Sequence, residues 1–155
     1  EGIIEKGEIQ FMSAGTGVTH SEMNGSATEA VKFLQIWIVP NKMNITPRYG
    51  QMEYALNDND IKTLIQPETA EGTLRLQQNA WFKMAKFDAD KETTITVEDP
   101  ENNGIYIFLL NGSIEVDGNS METRDAIGIW ETENVTIKTN DKSEFLVIEV
   151  PMNQN

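Results

Sequence analysis

The chain contains one histidine, His20, in the tetrapeptide Thr19-His20-Ser21-Glu22, directly after the turn Ala14-Gly15-Thr16-Gly17. On an extended strand, residues i and i+2 project from the same face, so His20 and Glu22 can aim an imidazole nitrogen and a carboxylate oxygen at one point. That is half of a metal site. Iron, nickel, copper and zinc usually take at least three protein donors, and a surface or structural role for His-x-Glu stands beside the ligand role. There is no cysteine, which excludes disulfides, thiolate metal sites and a cysteine nucleophile. Gly15-Thr16-Gly17 lacks the third glycine and the following helix of a dinucleotide fingerprint, so it reads as a tight turn. A lone histidine offers no spacing that would test for a Ser–His–Asp triad.

The elements that must position these residues are strands. Apolar residues alternate with period two or run in short β-branched and aromatic blocks closed by Gly, Pro, Asn and Asp, and no amphipathic helix emerges. The pattern predicts strands at Gly7–Met12, Val18–Met23, Val31–Val39, Lys62–Gln66, Thr73–Gln78 and Trp81–Phe87. It predicts further strands at Thr93–Val97, Ile105–Leu110, Ser113–Val116, Ala126–Trp130, Asn134–Lys138 and Glu144–Val150. Asn111-Gly112 between two of these reads as a type I′ hairpin turn, and Asp117-Gly118 supplies a second turn. Trp37, Trp81 and Trp130 lie in apolar stretches and are assigned to the core. The fold class is all-β, a sandwich or small barrel.

Residues 46–65 are expected as a linker, because Pro40, Pro47 and Gly50 interrupt any ladder and Asn57-Asp-Asn-Asp60 makes a polar turn. This divides the chain into residues 1–45, a piece with too few strands to bury both faces, and residues 66–155, a block able to close by itself.

With 155 residues and 39% hydrophobic content, the chain is long enough to bury a core of its own. It carries 12 basic against 25 acidic residues, a net charge of −13. Up to Gln66 five basic residues face eight acidic ones, and beyond it seven face seventeen. A field of this sign opposes phosphate backbones and anionic lipid, so direct nucleic-acid or membrane binding is not expected. No apolar run approaches the ~20 residues of a membrane helix, and a cytoplasmic location is expected.

The segments Gly7-Glu-Ile-Gln-Phe-Met-Ser-Ala-Gly-Thr-Gly-Val-Thr-His-Ser-Glu-Met23, Phe33-Leu-Gln-Ile-Trp-Ile38 and Pro47-Arg-Tyr49 closely resemble the pirin family, in particular its shorter bacterial, quercetinase-like members. The resemblance covers nearly the whole chain. It implies a bicupin, two jelly-roll barrels in one chain, with a metal, commonly iron, in the N-terminal barrel. Family members resembling this one are linked to quercetin 2,3-dioxygenase activity, and eukaryotic pirins to transcriptional co-regulation. Three histidines and one glutamate hold the metal in that family, and His20 and Glu22 match the downstream pair. The upstream pair, a His-x-His on earlier strands, has no counterpart here. The N-terminal barrel is therefore expected to be incomplete and the C-terminal barrel, without histidine, complete and metal-free.

Three expectations follow. In the complete protein, His20 and Glu22 bind a divalent transition metal, iron first, with nickel, copper or zinc as alternatives. Glu22 then also serves as the catalytic base toward a small aromatic, flavonol-like substrate. Alternatively, the protein is a non-enzymatic binding or regulatory cupin whose acidic C-terminal block docks a basic partner. In the third reading this form is an inactive fragment whose open N-terminal barrel is completed by a homodimer or by strand exchange.

Overall fold

Along Phe145-Leu-Val-Ile-Glu149 successive side chains point to opposite faces of one sheet, and both faces are buried. That single run organises the architecture. A computed structural model describes residues 2–153 of the chain. Its strands are β1 (Glu8–Ser13), β2 (Arg48–Glu53), β3 (Asp60–Gln66), β4 (Leu74–Arg75), β5 (Trp81–Phe87) and β6 (Lys91–Thr96). They continue with β7 (Asn103–Asn111), β8 (Ser113–Val116), β9 (Asn119–Glu122), β10 (Ala126–Trp130), β11 (Asn134–Thr139) and β12 (Ser143–Pro151).

Two sheets face each other, a six-stranded one in the order β10-β7-β12-β5-β3-β4 and a four-stranded one in the order β6-β11-β8-β9. Phe145 and Val147 of β12, with Ile105, Ile107 and Leu109 of β7, point inward. There they meet Ile114, Val116, Val135 and Ile137 from the smaller sheet. Phe87 stacks on Phe145, ring centroids 6.1 Å apart. This jelly-roll core follows from period-two alternation on both sheets.

The outer face of the six-stranded sheet forms a second apolar cluster. Leu64, Phe82, Met84, Leu146 and Ile148 are buried there against Ile9, Ile38, Met52 and Tyr54 from the N-terminal part. The larger sheet is thus covered on both sides, which explains why β12 reads as a continuous apolar block. β1 and β2 form a separate antiparallel ribbon, with Gln10 opposite Gln51 and Met12 opposite Tyr49.

The all-β cupin expectation holds, and several element readings are corrected. The stretch expected as a linker, 46–65, holds β2 and most of β3. Pro47 stands just before β2, and Gly50 lies opposite Phe11 in a two-stranded ribbon, where breaker residues disturb little. Val18–Met23 and Val31–Val39 run without ladder partners among the described residues, so they are not strands. In the second, Phe33 is 66% and Trp37 89% exposed. Thr73–Gln78 shrinks to the two residues of β4.

Asn111-Gly112 does not close a hairpin. β7 pairs with β10 and β12, whereas β8 pairs with β9 and β11, so the chain crosses there from one sheet to the other. The two-residue hairpin is at Asp117-Gly118, both at positive φ (45° and 81°), joining β8 to β9. Short β9, Asn119-Ser-Met-Glu, carries no sequence signal beyond Met121.

The tryptophans are not core residues as a group. Trp130 alternates with the inward-packing Ile127 and Ile129 and so faces outward, 58% exposed, while Trp81 is half-buried.

Candidate functional site

The turn before the histidine closes on itself, with Gly17 N–H donating to the Ala14 carbonyl at 2.8 Å and Thr16 N–H donating to the Ile45 carbonyl at 3.0 Å. The extended stretch beyond it brings His20 and Glu22 together. His20 Nδ1 lies 3.9 Å from Glu22 Oε1, and both side chains are partly open to solvent.

Glu22 is anchored from β1. Gln10 Nε2 donates to Glu22 Oε1 at 2.8 Å. Across the ribbon, the Tyr49 hydroxyl donates to Gln51 Oε1 at 2.7 Å and lies 3.3 Å from Gln10 Oε1. Gln51 Nε2 in turn donates to the Ile3 carbonyl at 2.7 Å and to Glu8 Oε2 at 3.0 Å. Residues 8, 10, 49 and 51 share one face of the ribbon because the alternation and the Gln10–Gln51 register put them there. Gln51 draws no notice in the sequence, and Gln10 enters only as one residue of the Gly7–Met23 segment quoted for the family resemblance. Tyr49 lies in the Pro-Arg-Tyr segment quoted for the family resemblance, but its link to Glu22 depends on the non-local pairing of β1 with β2.

Imidazole nitrogen and carboxylate oxygen bind transition metals at about 2.0–2.2 Å. Neighbouring ligands at those bond lengths stand about 3.0–3.5 Å apart, so donor atoms now 3.9 Å apart must close slightly to share one ion. Among the described residues no group of three or more His, Asp or Glu side chains converges, so this pair fits part of a coordination shell.

An open groove of about 320 Å³ runs between residues 34–37 and the outer face of the six-stranded sheet, where Tyr106 and Phe108 line it. Neither His20 nor Glu22 borders it. Inside the barrel end, Glu149 is fully buried and accepts hydrogen bonds from Glu98 N–H, Asp99 N–H and Asn103 Nδ2. Its partners are two backbone amides and one asparagine side chain.

Residues 63–150 match the family described as the quercetinase C-terminal cupin domain, and residues 1–38 match the pirin family. The chain belongs to the pirin family. It is 30% identical over 149 residues to the quercetin 2,3-dioxygenase of Escherichia coli, covering 96% of this chain and 63% of that protein. Among solved structures, this pirin superimposes on YhhW of Escherichia coli with a TM-score of 0.89 at 30% identity, over 96% of this chain and 62% of that one. It also matches the bacterial pirin YhhW of the same organism in complex with nickel(II), with a TM-score of 0.87 at 31% identity, over 94% and 62% of the two chains. The chain thus spans less than two thirds of the length of these relatives. Among the described residues no helix is long and apolar enough to cross a membrane.

Proposed function

We propose that in the whole protein His20 and Glu22 are two of the ligands of a divalent transition metal, and that the site carries out quercetin 2,3-dioxygenase-type chemistry on flavonol-like substrates. The observation that carries this reading is the convergence of His20 Nδ1 and Glu22 Oε1 at 3.9 Å on a partly open surface. The names of the relatives support the reaction class, and the nickel(II) complex of YhhW supports a divalent ion. Iron remains the first candidate from the family resemblance, with nickel, copper and zinc as alternatives. The remaining donors come from outside this pair, supplied by a further segment or a second chain.

When bound, the metal supplies positive charge that favours an ionised substrate oxygen. The residues of this chain do the rest. His20 offers a neutral nitrogen to the ion. Glu22 offers a carboxylate whose Oε1 is already held by Gln10, and Oε2 meets no hydrogen-bond donor among the described residues. That free oxygen is the atom proposed to accept the proton of a substrate hydroxyl.

Oxygen uptake with quercetin by the metal-loaded protein tests this reading. Uptake should require the metal, disappear in His20→Ala and fall about 10²–10⁴-fold in Glu22→Gln, the usual range for loss of a general base. Metal-loaded protein that consumes no oxygen would instead favour a non-enzymatic regulatory cupin.

A second reading concerns assembly. Val31, Phe33 and Trp37 stand in water on a segment with strand-like alternation, and a second copy of the chain is proposed to cover them. Light scattering tests it: a dimer is expected, and a strict monomer at high concentration would contradict it.

A further inference from the structure

We infer that Gln10 is a positioning residue for the metal-binding carboxylate, an inference that rests on the reading of His20 and Glu22 as ligands. The argument turns on hydrogen-bond polarity. An ionised carboxylate only accepts, and a glutamine amide carries two donors at one end and an acceptor at the other. Gln10 must therefore present Nε2 to Glu22, as the 2.8 Å contact requires, and its carbonyl is left pointing along the ribbon.

Gln51, directly opposite in the ladder, has the mirror arrangement, with Nε2 on Glu8 Oε2 and on the Ile3 carbonyl. The two carbonyls meet at the Tyr49 hydroxyl, 3.3 Å from Gln10 Oε1 and 2.7 Å from Gln51 Oε1. The phenol has one proton, closest to the Gln51 carbonyl, and its oxygen can equally accept from an amide N–H, so it is the carboxylate of Glu22 that fixes which end of Gln10 faces it. The same Oε1 that Gln10 holds is the oxygen nearest His20 Nδ1, so the clamp sets the side of the carboxylate that faces the imidazole. Groups that orient a metal ligand in this way raise affinity without touching the ion.

The test pairs a spectroscopic signature with an affinity. In NMR spectra of the protein, the Gln10 side-chain amide, identified by its loss in Gln10→Leu, should show one proton shifted downfield from free glutamine. That proton should return toward the free position in Glu22→Ala. Calorimetric titration with nickel(II) then compares wild type, His20→Ala and Gln10→Leu, each checked for an unchanged thermal midpoint. Binding should be abolished in His20→Ala and weakened about 10–100-fold in Gln10→Leu. If His20→Ala abolishes binding while Gln10→Leu binds as wild type does, the positioning role is overturned and the ligand reading survives. If nickel(II) does not bind, or binds equally to His20→Ala, the ligand reading fails and the positioning role fails with it. A Gln10 amide at the free-glutamine position would overturn the clamp independently of any metal.

Discussion

Glu149 Oε1 accepts a 2.7 Å hydrogen bond from Asn103 Nδ2 inside the jelly roll, joining the end of β12 to the start of β7. The carboxylate also takes the backbone N–H groups of Glu98 and Asp99. Replacing it with an apolar residue leaves the buried Asn103 amide and two part-buried backbone N–H groups unmet, and a buried unmet donor costs about 1–3 kcal/mol. Glu149→Leu should therefore destabilise the protein by about 3 kcal/mol or more in urea unfolding. A change within about 0.5 kcal/mol, typical of a surface site, would show that the cluster is dispensable.

Gly112 lies at φ 99° where the chain crosses between sheets, and a Cβ there would collide with Ser143 Oγ and with backbone of Lys142 and Ser143. Gly118, at φ 81° in the β8–β9 turn, faces open space. Gly112→Ala should cost about 2–4 kcal/mol, from backbone strain plus collision, and Gly118→Ala about 1 kcal/mol, from strain alone. Equal thermal shifts for the two variants would contradict the crossing geometry.

Asp58 is clamped by Lys86 Nζ at 2.8 Å and Lys142 Nζ at 3.4 Å. The Lys86 hydrogen bond, followed by that of Lys142, holds the Asp58 carboxyl below the ordinary 3.8. The Asn59 amide does most to lower Asp88, and Asp58 does most to raise Lys142 above 10.5. A lowered carboxyl stabilises the fold above its unfolded value and loses that contribution as pH falls through its folded one. The raised lysine contributes below its unfolded value and loses the contribution as pH rises through its folded one. Asp58→Asn should thus lower the thermal midpoint slightly near neutral pH. The gap from wild type should close as pH falls from 3.8 through the lowered folded value, and shrink in 1 M salt. A gap that persists in acid would assign the effect to something other than charge.

Local patterns carried the sheets further than they carried the site. Phe145–Ile148 and Ile105–Leu109 announce themselves as strands, because each side chain they bury adds to one face or the other of the larger sheet. Asn111-Gly112 has the chemistry of a hairpin turn, yet pairing with β10 and β12 leaves β7 no free edge for β8. β2 was hidden by Pro47 and Gly50, which a two-stranded ribbon tolerates and a central strand would not. The proximity of His20 and Glu22 was legible because two-residue spacing is local. Gln10 reaches Glu22 across twelve positions, a contact no spacing rule announces, and Tyr49 meets Gln10 only through the β1–β2 register, which joins residues some forty positions apart.

The most direct test of the central claim is metal content per chain, by elemental mass spectrometry, for wild-type and His20→Ala proteins dialysed against a weak chelator. The account predicts close to one divalent transition metal per site in the wild type and almost none in the variant. A wild type without metal, or a variant that retains as much as the wild type, would contradict it.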